Sequence, residues 1–211
     1  MFELLRETYE YLLANQGRFW NELSDHLALS LCALTISVLL CLPLGIWAAR
    51  RAGQAQPLIN AVGSLRTIPS LAILFLALPY LGTGFWPALI ALTVLALPPV
   101  LVNTYAGLRG VDRAVVEAAH GMGMTPRQVL AQVELPLALP AIVGGVRTAA
   151  VEVIASATLA AFIGGGGLGI FITRGFALFR PDIMLVGALP VALLALLAEG
   201  LLGTVQRAVA R

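Results

Sequence analysis

From Thr67 to Leu108 the chain runs for 42 residues without a charged side chain. A membrane span takes about 20 mostly apolar residues, so this stretch alone is long enough for two. Composition points the same way. Hydrophobic residues make up 59% of the 211 and charged ones 11%, less than half the share of roughly a quarter found in globular chains. The length would fit one or two soluble domains, but so few charges could not cover their surface. The chain reads as an all-α membrane protein lying in a lipid bilayer.

All thirteen basic residues are arginine; there is no lysine. A P-loop needs its lysine on the β/γ-phosphates, and Schiff-base chemistry needs one too, so this chain alone is neither a P-loop ATPase nor a retinal or pyridoxal phosphate protein. A net charge of +2, with no arginine patch beyond Arg50-Arg51, gives no reason to expect nucleic acid. Cys32 and Cys41 share one apolar stretch, where helical rise separates them by roughly 13 Å, too far for a disulfide. Glu3, Glu7 and Glu10 at the N-terminus do not make a cleavable signal.

Five spans are expected. The first lies between His26 and Arg50. The long uncharged run breaks at Pro79-Tyr80-Leu81-Gly82-Thr83-Gly84, leaving a second piece from Trp86 to Leu108 that spans comfortably. The piece before the break is too short, so its helix must begin near Pro57 and carry Arg66 into the membrane. A fourth span runs from about Leu137 to Ile163, with Arg147 and Glu152 inside, and a fifth from about Ile183 to Gln206, with Glu199 inside. With the N-terminus outside and the C-terminus inside, Arg50, Arg51, Arg109, Arg113, Arg127, Arg207 and Arg211 fall in the cytoplasm and Arg6, Arg18, Arg174 and Arg180 outside, as the positive-inside rule favours. Residues 2–20 read as an amphipathic helix on the outer interface, which makes 1–25 an outer interfacial segment and 26–211 the transmembrane domain.

Between spans three and four lies a cytoplasmic loop at about 109–136. Asp112 suits the N-cap of a helix over 113–121, Gly121 and Gly123 supply its break, and Thr125-Pro126-Arg127-Gln128 is a capping box with proline at the first helical position. A second helix then runs to about Glu134, and Pro136 opens the return to the membrane. The result is a helix–turn–helix bracket. Its surface carries Val115, Val116, Ala118, Ala119, Met122, Met124, Val129, Leu130 and Val133, suited either to insertion into another protein's groove or to folding back on its own bundle.

Glu117-Ala118-Ala119, three residues, Gly123, nine residues, Val133, one residue, Leu135-Pro136 resembles the EAA loop of ABC importer permeases, with valine in place of isoleucine. LRTIPSLAIL (65–74), NTYAGLRGVD (103–112), VELPLALPAIVGGVRTA (133–149) and ATLAAFIGGGGLG (157–169) extend the resemblance to the permeases for quaternary ammonium compounds: glycine betaine, proline betaine, choline and carnitine. An amino-acid permease, such as one for methionine, shares the loop and is the alternative. The resemblance implies a type I ABC importer (MetI-like) permease fold in a prokaryotic inner membrane. It implies that Glu117, Ala118, Ala119, Gly121, Gly123, Leu135 and Pro136 belong to a coupling helix docking on a separate ATPase dimer. That dimer would carry ATP and Mg; this chain would bind no cofactor or metal. A second permease copy and an extracytoplasmic solute-binding protein complete the implied assembly.

Charged groups inside a membrane are functional candidates by default. Arg66 and Glu152, with the helix break at Thr67, Pro69 and Ser70, are candidates for a translocation path, although Arg66 could instead pair with Glu199. Arg147 could snorkel. The glycine run 164–169 is either a contact for the binding protein or a turn that folds Phe171–Phe179 back as a short outer helix. An intramembrane enzyme is disfavoured: His26 and His120 fall on opposite sides of the membrane, and neither HExxH nor GxSxG occurs. A self-contained channel or secondary transporter fits the composition but gives no reason for the EAA pattern.

Overall fold

Hydrocarbon offers no hydrogen-bond partner, so backbone groups crossing it must pair within their own segment. A computed structural model describes residues 2–210, and every element in it is helical. Met1, and Arg211 among the arginines assigned inside, lie outside the described residues.

Helix α1 (Phe2–Ala14) meets α2 (Gln16–Arg50) at Asn15. The sequence suggests an interfacial helix reaching residue 20, but residues 16–25 are instead the first turns of α2, because nothing between Arg18 and His26 stops a helix. At 35 residues, α2 is about 52 Å long and overreaches the roughly 30 Å hydrocarbon layer. Next come α3 (Ala52–Ser64), a 3₁₀ turn at Leu65–Thr67 and α4 (Ser70–Leu81). The helices before and after Ile68-Pro69 are bent by 100°. A residue before proline is pushed out of the helical region, and Ile68 takes φ −82° and ψ 124°. The segment expected to make the second span is therefore a sharply broken pair, with no continuous helix through Arg66.

Helix α5 (Phe85–Arg109) is the central post, packed along α2 and along the helix Leu135–Ser156 that follows the bracket. Small residues bring the backbones together, as is common between membrane helices. A Cβ on Gly45 of α2 would stand 2.7 Å from the Thr104 side chain, and one on Gly145 would stand 2.6 Å from the carbonyl oxygen of Pro99. The bracket follows as α6 (Arg113–Gly121) and α7 (Pro126–Val129), then a π-helical turn (Leu130–Glu134), α8 (Leu135–Ser156) and a 3₁₀ segment (Ala157–Ile163). Here the structure departs from the expectation at Pro136: the second arm continues into α8 without a break. The π turn absorbs the proline. Leu135 N–H donates to Leu130 O across the widened turn, which gives room to a ring that would crowd the preceding turn and has no N–H to donate.

Glycines 164, 166 and 167 turn the chain with positive φ, and Gly167 N–H donates to the Glu22 carboxylate at 3.0 Å. Helix α9 (Gly169–Ala177) folds back against α10 (Pro181–Val209). Among the described residues, four helices are long and apolar enough to cross a membrane, and the bent pair would make a fifth.

Candidate functional site: a capped bracket and a broken helix

Local hydrogen bonding builds the bracket. Asp112 Oδ1 accepts from Ala114 N–H at 2.9 Å and starts α6. Gly123, at φ +86°, makes the elbow, with its N–H donating to His120 O at 2.9 Å; a side chain there would be strained in this left-handed conformation. Thr125 and Gln128 close the capping box: Thr125 N–H donates to Gln128 Oε1 at 2.8 Å and Gln128 N–H to Thr125 Oγ1 at 3.4 Å. The two arms are thus set by caps that the sequence alone reveals.

The bracket has two faces. Ala119 and Val129 are 2% exposed and anchor the arms inward, whereas Met122, at the elbow, is 76% exposed. Glu117, Ala118, Gly121 and Gly123 are exposed with it. Leu135 is half-buried and Pro136 exposed at the foot of the second arm. Of the two readings of the loop's apolar surface, folding back on the bundle holds for the inner face; the outer face is open.

One residue of this region carried no functional reading in the sequence. Arg50, the last residue of α2, donates from Nη2 to Pro126 O at 2.8 Å, and Nη2 lies 3.6 Å from Glu134 Oε2. Its only visible signal was a pair of arginines at the end of an apolar run, which reports orientation but not reach.

The second group lies at the break between α3 and α4. Arg66, Thr67 and Pro69 are exposed and Ser70 is half-buried; Thr67 Oγ1 donates to Ser64 O at 2.7 Å and tightens the 3₁₀ turn. Glu152 of α8 is half-buried, and among the described residues no ion pair joins it to Arg66. Arg66 does not pair with Glu199, as the sequence allowed. Glu199 is taken by Arg147, which also donates to Gln206 Oε1 at 3.1 Å, while Gln206 Nε2 donates to Pro140 O at 3.1 Å. This network fastens α10 to α8, and among the described residues neither Arg66 nor Glu152 has such a partner.

Comparison with known proteins fits these features. Residues 41–211 match the family described as "Binding-protein-dependent transport system inner membrane component". The carnitine transport permease protein OpuCB of Listeria monocytogenes is 48% identical over 182 residues, covering 86% of this chain and 84% of the relative. The glycine betaine/carnitine/choline transport system permease protein OpuCB of Bacillus subtilis (strain 168) is 38% identical over 205 residues, covering 97% of this chain and 94% of the relative. Among solved structures, a chain of the MetNI methionine ABC transporter in an inward-facing conformation superposes with TM-score 0.84 at 23% identity, covering 93% of this chain and 98% of that one. That likeness establishes the all-helical type I (MetI-like) fold. The capped bracket, the apolar helices and a family match over most of the length lead to one conclusion: the chain belongs to the family of binding-protein-dependent transport system inner membrane components.

Proposed function

We propose that this chain is the membrane-spanning permease subunit of an ATP-driven importer for a quaternary ammonium solute such as glycine betaine, choline, carnitine or proline betaine. The observation that carries the reading is the bracket: a capped helical elbow whose outer face, Glu117, Ala118, Gly121, Met122 and Gly123, is open while Ala119 anchors it from behind. The relatives named for carnitine and for glycine betaine, carnitine and choline support the solute class. The likeness to the methionine transporter extends to fold alone.

In this reading the chain crosses the membrane five times, N-terminus outside and C-terminus inside, with the bent α3–α4 pair as the second crossing. Residues 1–25 lie on the outer interface and 26–211 form the transmembrane domain. The bracket is the coupling helix, with Leu135 and Pro136 at its foot. It docks on a separate ATPase dimer, which holds ATP and Mg and performs the hydrolysis. A second permease copy, identical or related, completes the path, and a solute-binding protein delivers the solute from outside. ATP draws the ATPase dimer shut and brings the two brackets together. Because the second arm runs unbroken into α8, that displacement passes directly into the bundle and opens its outer side.

The path borders the broken helix. Arg66, Thr67, Pro69 and Ser70 line it from the bend, and Glu152 faces Arg66 from α8. A carboxylate suits the solute's cationic end. Few aromatic residues lie in the spans, so selectivity rests chiefly with the binding protein. The test is uptake of labelled glycine betaine into proteoliposomes holding the assembled importer and its binding protein. Uptake that depends on internal ATP and is competed by choline or carnitine, but not by methionine, is expected. Competition by methionine alone would overturn the solute class.

A further inference from the structure

We propose that Arg50 is a positioning residue that ties the first membrane helix to the bracket, so that α2 moves with the coupling arm. The inference rests on the coupling role proposed for the bracket. A basic residue in the last turn of a helix ordinarily serves the helix's own free carbonyls. Arg50 reaches away from them instead, to partners 76 and 84 positions later in the chain: the carbonyl of Pro126, at the first helical position of α7, and the carboxylate of Glu134. One guanidinium thus holds both ends of the second arm.

Glu134 is placed for this contact by the π turn, of which it is the last residue. Its side chain lines two adjoining crevices, of about 250 and 210 Å³. The first also contains Arg50, the second Glu117, and Arg109 lines both. Glu134 therefore stands between the tip of α2 and the outer arm of the bracket. Ile46 and Ala49 of α2 also pack beside Leu108, Ala138 and Ile142, but apolar packing lets helices slide. One hydrogen bond to the Pro126 carbonyl and one ion-pair contact to Glu134, both from Nη2, fix direction. Arg50 supplies that fixed point: the bracket delivers its displacement to α8 through the continuous helix and to α2 through this latch.

The assembled importer in proteoliposomes tests the latch, with ATP hydrolysis and solute uptake measured on the same preparation. In Arg50→Ala the ATPase should still co-purify and hydrolyse ATP, while solute carried per ATP falls about tenfold, the equivalent of one charge-assisted hydrogen bond. Arg50→Lys should be intermediate, because a shorter side chain ending in a compact, strongly hydrated ammonium keeps the charge but not the reach and planar geometry of the guanidinium. Arg50→Glu and Glu134→Arg should each be uncoupled, and the double exchange should recover uptake above either single variant. If Arg50→Ala does not insert, the lysine variant and the exchange decide the matter. Unchanged uptake per ATP in Arg50→Ala or Arg50→Lys, or no recovery in the double exchange, would overturn the latch while leaving the importer reading intact. A wild-type chain that recruits no ATPase would overturn both.

Discussion

Two prolines, Pro69 and Pro136, follow apolar stretches in the same chain with opposite results. At Pro69 the helix stops and the chain turns through 100°; at Pro136 it continues from the bracket into α8. The ring is the same, so the difference lies in what precedes and surrounds it. Before Pro69 the chain tightens into a 3₁₀ turn, and Arg66, Thr67, Ile68 and Pro69 are all exposed, with little packing to hold a strained helix together. Before Pro136 the chain widens into a π turn, and Leu130 and Leu135 pack with Ala138 on the Leu108 cluster. Packing decides whether a proline breaks a helix or merely reshapes it. In the proposed function, one proline gives the bend beside the path and the other the stiff lever.

The largest expected effect comes from breaking the register between the bracket and α8. Inserting one alanine after Leu137, in the regular helix just past the π turn, should rotate the bracket by about 100° relative to the rest of α8. The outer face would then point away from its partner, and ATP-dependent uptake should fall at least about a hundredfold. Normal uptake would show that this register is not needed. Next is Pro69→Ala, which frees the chain to straighten. Uptake should fall by roughly tenfold, and thiol labelling of Thr67→Cys in this background should change. By contrast Pro136→Ala, in a helix already continuous, should change uptake by less than about twofold. Equal losses in the two alanine variants would erase the distinction between bend and lever.

Glu199→Gln should leave Arg147 without its carboxylate between α8 and α10. A lower melting temperature in detergent is expected, with the solute preference unchanged; a changed preference would place this network on the path. The smallest effect belongs to Thr125→Ala, which loses the capping box at the foot of α7 and should cost about 1 kcal/mol, read as a small loss of thermal stability with uptake retained.

Sequence reasoning succeeded where structure is set within a few residues. Asp112, Gly123 and the Thr125–Gln128 box fixed both arms of the bracket, and the uncharged run between Gly84 and Arg109 fixed α5, because caps and apolar length act locally. The start of α2 was missed since polar residues 16–25 are compatible with either a separate helix or an extension. Arg147 finding Glu199 across 52 positions, and Arg50 finding Pro126 across 76, depend on how helices are rotated against one another. Glycine contacts such as Gly145 on Pro99 set that rotation, and no periodicity in the sequence records it. The π turn was hidden for a similar reason: Pro136 announces a disturbance, but only packing chooses between a break and a widened turn.

The central claim is that the bracket joins this chain to an ATPase, and one measurement addresses it most directly. The chain is purified from its native membrane in mild detergent, as wild type and with Glu117→Arg on the open face of α6, and the co-eluting proteins are identified. An ATPase subunit should accompany the wild type and be lost from Glu117→Arg, while both chains remain monodisperse. A wild-type chain that elutes without any ATPase, or a Glu117→Arg chain that retains it in full, would contradict the claim.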